Sequence, residues 1–276
     1  MSYQHDEVEV TQQIIRELEN GIKLWERPWD NTQQGPITPQ NLKTRTEYSG
    51  FNIVLLWAYT RYHGYGTHWW LTEKQAETLG GRIYSGERPV YIRRFIPVAH
   101  CKDGITRRIG MRFPVFNRDQ VTGLIPPPDI EPTTRPVPKA TRILRASGAT
   151  IRISGVKACY SPSDDLIVLP PADRFPRSED YYATALHELV HWTGHSSRLN
   201  RTGGERFGDA AYAFEELVAE LGSVFLSAKI GLAGELNNHA NYIGYWLDIL
   251  SQDRRALWKA ASLAQKASNF LLNCPQ

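Results

Sequence analysis

The sequence predicts an α+β protein of two domains. The first combines helices with an antiparallel sheet; the second is mostly helical with a small sheet. Three observations predict this. The hydrophobic pattern of the first half changes from helical to alternating near Gly80-Gly81. Six of the thirteen residues from Pro126 to Pro138 are proline, the composition of an extended linker. Beyond it, three short strand patterns give way to long helical runs. The expected divisions are residues 1–125, a linker at 126–138, and residues 139–276.

The chain has 276 residues, enough for two cores. Hydrophobic residues make up 41% and charged residues 22%, as in ordinary globular proteins. No apolar run approaches the length of a spanning helix, so no membrane partner is expected. The opening residues, MSYQHDEVEV, are polar and acidic and do not read as a signal peptide. Cys101, Cys159 and Cys274 are odd in number and widely spaced, which points to thiols in a reducing cytoplasm. A metal site in such a chain has to draw on histidine and carboxylate.

In the first half, Asp6–Trp25 carries Val10, Ile14, Leu18 and Ile22 near every fourth residue, an amphipathic helix ended by Pro28. A polar loop runs to Asn41. The apolar run Ile53–Tyr62 is a second helix. Thr72 and Gln75 fit a capping box that opens a short third helix, stopped at Gly80-Gly81. Strands are expected at Arg82–Tyr84, Val90–Val98, Ile105–Ile109 and Arg112–Phe116, with a hairpin turn at Asp103-Gly104.

In the second half a short helix is expected at Lys139–Ala146. Strands follow at Thr150–Ile153, Ala158–Tyr160 and Leu166–Leu169, the last as an edge able to pair with an extended peptide. Next comes Ser178–His195, a helix with Ser178 as N-cap, acidic residues in its first turn and Gly194 as its stop. Asp209 caps another helix running to Lys229. Helices at His239–Leu250 and Asp253–Leu272 complete the chain.

Charge is unevenly placed. Residues 1–125 hold 16 Lys/Arg against 13 Asp/Glu, and the rest is balanced, so the first half carries the whole net +3. From Arg82 to Arg118, nine basic residues face two acidic ones, a local excess of +7. Such an excess suits a phosphate-facing surface better than a merely solvated strand. Five of the eight tryptophans also lie in the first 70 residues. Aromatic faces stack bases while arginines follow the backbone, so this is the composition of a single-strand binder. Core packing is the competing explanation, strongest for Trp57 within its apolar helix. The candidate DNA contacts are Trp25, Trp29, Trp70, Arg82, Arg88, Arg93, Arg94, Arg107 and Arg108.

The second half contains His187-Glu188-Leu189-Val190-His191. Chance produces an H-E-x-x-H in about one of 100 such chains. Histidines four apart on a helix share one face, about 6 Å from each other, and can grip one Zn²⁺. Glu188 cannot join them as a ligand but can reach a water at the metal as general base. A third ligand is needed. The residue six after His191 is Ser197, which rules out the longer histidine motif, and Gly194 separates His195 from the helix. The acidic helix Glu215-Glu216-Leu217-Val218-Ala219-Glu220 remains. Its Glu216-x-x-Ala219-Glu220 resembles the signature of the zincins that use a glutamate ligand. That likeness implies Glu216 as the ligand and Glu220 behind it, orienting a histidine. Glu215 is the alternative. The cofactor is Zn²⁺, or another divalent ion such as Mn²⁺, since two histidines and a glutamate do not select strongly. Tyr182, Tyr212 and Tyr242 are the oxyanion donors to choose among.

A wider resemblance covers nearly the whole chain. Trp25, Pro28-Trp29, Pro39-x-Asn41, Tyr48-x-Gly50-x-Asn52, Trp70-Leu71-Thr72, Gly80-Gly81, Gly86-Glu87, Val115-Phe116-Asn117-x-x-Gln120 and Gly123-Leu124 resemble the N-terminal single-stranded-DNA-binding domain of the ArdC antirestriction family. Tyr160, Asp165, Leu169-Pro170, Phe175, Tyr181-Tyr182, the H-E-x-x-H segment through His195, Arg198-Leu199 and Glu215-Glu216-Leu217-x-Ala219-Glu220-Leu221 continue it as a zincin-like metallopeptidase domain. Thr44-Arg45 departs from it, standing where the family often has Thr-Gly. The resemblance implies a protein of conjugative plasmids and mobile elements that binds single-stranded DNA and shields incoming DNA from host restriction. It leaves open whether the metallopeptidase domain cleaves a protein of the restriction machinery, the candidate protein substrate. The alternative is a non-enzymatic single-stranded-DNA-binding protein whose metal site only stabilises the fold.

Overall fold

The chain divides into two compact units, Trp29–Ile130 and a second made of Met1–Pro28 with Glu131–Gln276, so that one of the two boundaries falls inside the proline-rich stretch. The computed structural model describes residues 35–98, 107–124, 136–201, 210–232, 243–253 and 255–275, with Gln12, Ile15, Arg16 and Glu19. The helix expected at Asp6–Trp25 lies outside the described residues apart from those last four, which are helical and belong to the second unit. No helix among the described residues is long and apolar enough to cross a membrane.

The first unit, Trp29–Ile130, is organised by a long ribbon. Its strands are β1 (Gln40–Asn41), β2 (Trp69–Leu71), β3 (Arg82–Ile83), β4 (Val90–Val98), β5 (Arg107–Asn117) and β6 (Val121–Thr122). β1, β2, β5 and β4 form one sheet in that order; β3 and β6 pair separately. β4 and β5 stay in antiparallel register from Val90 opposite Val115 to Val98 opposite Arg107. The break expected between Ile109 and Arg112 does not occur, because Gly110 pairs opposite Phe95 without leaving the ladder. The Asp103-Gly104 turn lies outside the described residues.

Helix α1 (Phe51–His63) is apolar nearly all round, so it is buried rather than amphipathic. Asn52 fastens it to the ribbon: its side chain donates to the Arg93 carbonyl at 2.8 Å and accepts from the Arg93 amide at 3.0 Å. Helix α2 (Glu73–Thr78) starts with the Thr72–Gln75 capping box, both halves formed. Trp69 and Trp70 lie in β2, at the centre of the sheet, and both are fully buried. Their side chains leave opposite faces of the strand, but both faces are covered. Trp70 is therefore core and cannot stack a base, which corrects its place among the candidate contacts. Arg45, at the departure from the family pattern, adopts φ +58°, the left-handed region that favours glycine. Its guanidinium lies 4.4 Å from the centroid of the Trp69 ring, a cation–π contact that a glycine cannot make and that offsets part of the strain.

The second unit contains α3 (Pro136–Ala146), β7 (Thr150–Ile153), β8 (Cys159–Ser161), β9 (Leu166–Leu169), α4 (Ser178–Thr193), α5 (Ala210–Ile230), α6 (Ile243–Gln252) and α7 (Ala256–Leu272). α3 starts three residues earlier than expected. Proline is tolerated in a first helical turn, where its missing N–H has no partner to lose. The sheet runs β7-β9-β8, parallel then antiparallel. β9 is thus the central strand, and the edge expected at Leu166–Leu169 falls instead to β8 and β7. The core gathers Leu186, Leu189 and Val190 of α4 with Ala219 and Leu226 of α5 and Ala267 and Leu271 of α7.

Candidate metal centre

Local chemistry places α4. Glu179 and Asp180 stand in its first turn, where they meet the positive end of the helix dipole. Arg177 holds the Asp180 carboxylate through two hydrogen bonds, of 3.0 and 2.5 Å. The residue before the helix is Arg177, not Ser178, and no side chain caps it. At the far end, the Gly194 amide donates to the His191 carbonyl at 2.7 Å. Gly194 has φ −74°, so it is not required for a left-handed turn. A Cβ there would stand 3.0 Å from the Arg201 guanidinium, and glycine leaves room for that side chain to cross the helix end.

α4 and α5 bring three side chains together. The Nε2 atoms of His187 and His191 are 3.2 Å apart. The Glu216 carboxylate lies 3.5 Å from His187 Nε2 and 3.4 Å from His191 Nε2. All three ligand atoms fall within 4.8 Å of one another. Ligands about 2.0–2.1 Å from a tetrahedral Zn²⁺ are about 3.3–3.4 Å from each other. The observed spacings match that edge, and two imidazoles with one carboxylate form a suitable donor set. His187, His191 and Glu216 therefore fit a divalent ion.

Their electrostatics point the same way. Burial opposes charge on His191, but Glu215 and Glu216 outweigh it and raise its pKa to about 10. Burial likewise opposes charge on His187, and its bond to Glu216 reverses the effect, leaving the pKa raised. Burial would lift the Glu216 pKa, yet the two histidines pull it well below the usual carboxylate range. Two imidazoles and a carboxylate thus hold positions and charges that a cation would share. Its binding displaces protons from the histidines, so affinity rises with pH.

The neighbouring carboxylates divide the support. Glu215 lies 3.4 Å from His191 Nδ1, and Glu220 lies 3.7 Å from His187 Nδ1. Each is on the ring nitrogen that faces away from Glu216, the place of an orienting group rather than a ligand. Buried Arg201 locks Glu215 in place with bonds of 2.7 and 3.1 Å. The same guanidinium donates to the Val190 carbonyl at 2.7 Å and to the Thr193 hydroxyl at 2.8 Å. His195 bonds Ser197 at 2.8 Å instead of joining the cluster.

Glu188 is buried beside the histidines and accepts a bond from the Tyr160 backbone on β8. Burial raises its pKa, against the pull of His187 and His191. Tyr160 is itself held. Its hydroxyl donates to Asp165 at 2.9 Å, and Arg198 grips Asp165 with both ends of its guanidinium. Arg198 also donates to the Trp192 carbonyl at 2.7 Å and lies 3.8 Å from the Trp192 ring centroid. The β8–β9 turn is thereby strapped to the end of α4.

Sequence reasoning assigned no role to Arg198, Arg201 or Gly222. Tyr160, Asp165 and Arg198 stand among the residues that carry the family resemblance, which was the available signal; Arg201 and Gly222 had none. Gly222 sets the approach of α5 to α4, since a Cβ there would fall 2.8 Å from Val190 Cγ1. Gly222→Ala sets two effects against each other. Helix propensity favours alanine by about 1 kcal/mol. Overpacking against fully buried Val190 costs about 1–3 kcal/mol. We expect the clash to win, lowering the melting temperature and weakening metal binding as α5 is pushed from α4. A variant that melts at or above the parent temperature would show slack between the helices.

Among the remaining candidates for DNA contact, Arg82, Arg88 and Arg94 are exposed and Arg93 is half-buried. Arg107 and Arg108 belong to β5, but their side chains lie outside the described residues, as do Trp25 and Trp29.

Fold and site define a two-domain protein whose C-terminal half is a zincin-like metal-site domain. Residues 138–263 match the family model of a zincin-like metallopeptidase, and residues 6–120 match the N-terminal domain of anti-restriction factor ArdC. The protein belongs to the ArdC antirestriction family. It is 35% identical to the Mn(II)-bound crystal structure of antirestriction protein ArdC from plasmid R388, over 96% of both chains, with a TM-score of 0.81. The metal-free structure of that relative is 37% identical over 96% of this chain and 95% of that one, with a TM-score of 0.78. DNA primase TraC of Escherichia coli is 36% identical over 96% of this chain. The chain spans only 27% of that primase's length. Protein y4eC of Sinorhizobium fredii is 35% identical over 95% of this chain and 90% of its own.

Proposed function

We propose that the protein is a cytoplasmic antirestriction factor with two working parts. Residues 1–125 bind single-stranded DNA, 126–138 link, and 139–276 carry a metal-dependent peptidase site directed at a protein of the restriction machinery. The observation that carries the enzymatic part is the pairing of the His187–His191–Glu216 cluster with buried Glu188. A metal that only stabilises the fold needs no base beside its ligands.

His187, His191 and Glu216 would hold a divalent ion, with Glu215, itself fixed by Arg201, beside His191 and Glu220 beside His187. Zn²⁺ and Mn²⁺ both suit this set, and the R388 relative is described with Mn(II). When bound, the ion supplies Lewis-acid polarisation of a carbonyl and acidifies water. Glu188, buried beside the histidines, would be the group that accepts and returns the proton in such a hydrolysis; its raised pKa suits a base that must also act as an acid. β8 lies at the edge of its sheet with Tyr160 beside Glu188, so an extended substrate aligns there rather than on β9. Of the tyrosines considered for the oxyanion, Tyr182 is engaged by the Thr141 hydroxyl at 2.7 Å, and Tyr242 lies outside the described residues. Tyr212, four residues before Glu216, shares its face of α5.

The DNA-binding part is supported by the exposed arginines of the first unit and by the match of residues 6–120. The relatives named as DNA primases also handle DNA. Binding of an oligothymidylate is expected to weaken steeply between about 50 and 200 mM salt, because each phosphate contact releases counterions. Constant affinity over that range removes the phosphate-contact reading.

A further inference from the structure

The β4–β5 ribbon has two unlike faces. Partners in register share a face. Ile92 and Val90 turn inward with Val115, into the core beneath α1. Tyr91, Arg93 and Phe95 turn the other way, opposite Pro114, Arg112 and Gly110.

That outward face is unusual for a soluble protein. Tyr91 is 41% exposed and Phe95 54% exposed, two large aromatic rings on one face. The strand rise puts them about 13 Å apart, with Arg93 between them. The Arg112 guanidinium lies 4.5 Å from the Tyr91 ring centroid, adding a second planar cation to the surface. Gly110 clears space for Phe95: a Cβ there would meet the ring at 3.3 Å. The strands Val90–Val98 and Arg107–Asn117 together hold five arginines and no aspartate or glutamate. An acidic polymer with exposed apolar rings is the occupant this chemistry fits. Single-stranded DNA has both features; a duplex hides its base faces.

We propose that this outward face is the base-stacking platform for single-stranded DNA, with Tyr91 and Phe95 stacking bases and Arg93 and Arg112 contacting phosphate. The proposal rests on the DNA-binding reading of the first unit. It adds the ribbon aromatics to the candidate contacts in place of buried Trp70.

The test measures fluorescence anisotropy of labelled oligothymidylate with the full-length protein. Tyr91→Ala and Phe95→Ala are each expected to weaken binding roughly tenfold, with the salt slope unchanged. Arg112→Ala is expected to lower that slope by about one. Met111→Ala, exposed on the opposite face, is expected to bind as the parent does. Weak binding to duplex DNA is expected to be indifferent to the aromatic changes. The platform is overturned by parental affinity in the well-folded Tyr91→Ala/Phe95→Ala double variant, or by an equal loss from Met111→Ala. Where alanine variants fold poorly, Phe95→Trp supplies a second readout. Its added fluorescence is expected to be quenched by the oligonucleotide, and no change on binding overturns the proposal. A parent that binds no oligothymidylate removes the DNA reading itself, an outcome distinct from a parent that binds equally well without its ribbon aromatics.

Discussion

Glu216→Ala is expected to abolish stoichiometric binding of Zn²⁺ or Mn²⁺, while His195→Ala leaves it intact. Glu216 reaches both histidines across the α4–α5 interface, at 3.5 and 3.4 Å. His195 is occupied with Ser197 outside the cluster. Removing Glu216 takes away the one charged ligand and leaves two imidazoles, too few for a protein zinc site. Metal that binds only the folded state adds stability by mass action. The rise in melting temperature on adding metal is therefore expected in the parent and in His195→Ala, and to vanish in Glu216→Ala. Glu215→Ala is expected to weaken binding about 10–100-fold without abolishing it, because it removes the partner of His191 and not a ligand. Metal analysis after dialysis and a calorimetric titration measure these outcomes. Metal lost from His195→Ala but retained by Glu216→Ala would reassign the third ligand.

Glu188→Ala is expected to keep the metal and lose hydrolysis. The residue lies one position after a ligand, so helix geometry keeps its carboxylate out of the ligand set while leaving it beside the metal. Loss of a positioned general base costs about 10²–10⁴ in rate. Burial raises its pKa and the Tyr160 amide fixes its position, so Glu188→Gln, nearly isosteric, should fail as well. The readouts are the metal content of the variant and its protection of DNA entering a restricting host. Protection equal to the parent's, with no cleavage of any protein by either, sinks the peptidase reading and favours a metal that only holds the fold.

The two halves of the chain were unequally legible. In the second, strands at Thr150–Ile153 and Leu166–Leu169 and the helix from Ser178 follow the periodicity of the residues themselves. The histidine spacing sets one face of one helix, and that much is local. In the first, the Thr72–Gln75 capping box formed as read, since a cap depends on four consecutive residues. Trp70 did not follow its composition. An aromatic in a basic, tryptophan-rich stretch and an aromatic in a sheet centre look alike until strand order is known. The role of Leu166–Leu169 failed for the same reason: its length and apolarity predicted a strand, but an edge is a property of the sheet. Arg45 shows the converse, a local departure from a glycine position that a distant ring, Trp69, helps to accommodate.

By itself the sequence determined the α+β class, and it carried the residue types of the proposed His₂Glu site. These follow from periodicity and ligand chemistry, which act over a few residues. Tertiary structure decided which nitrogen each carboxylate meets, how Arg201 and Arg198 brace the site, and which ribbon face turns outward. Those depend on the approach of α4 to α5, limited by Gly222 against Val190, and on burial of Val90, Ile92 and Val115 at one end of the ribbon. Both are contacts between residues far apart in the chain, set by close packing and leaving no periodic trace in the sequence.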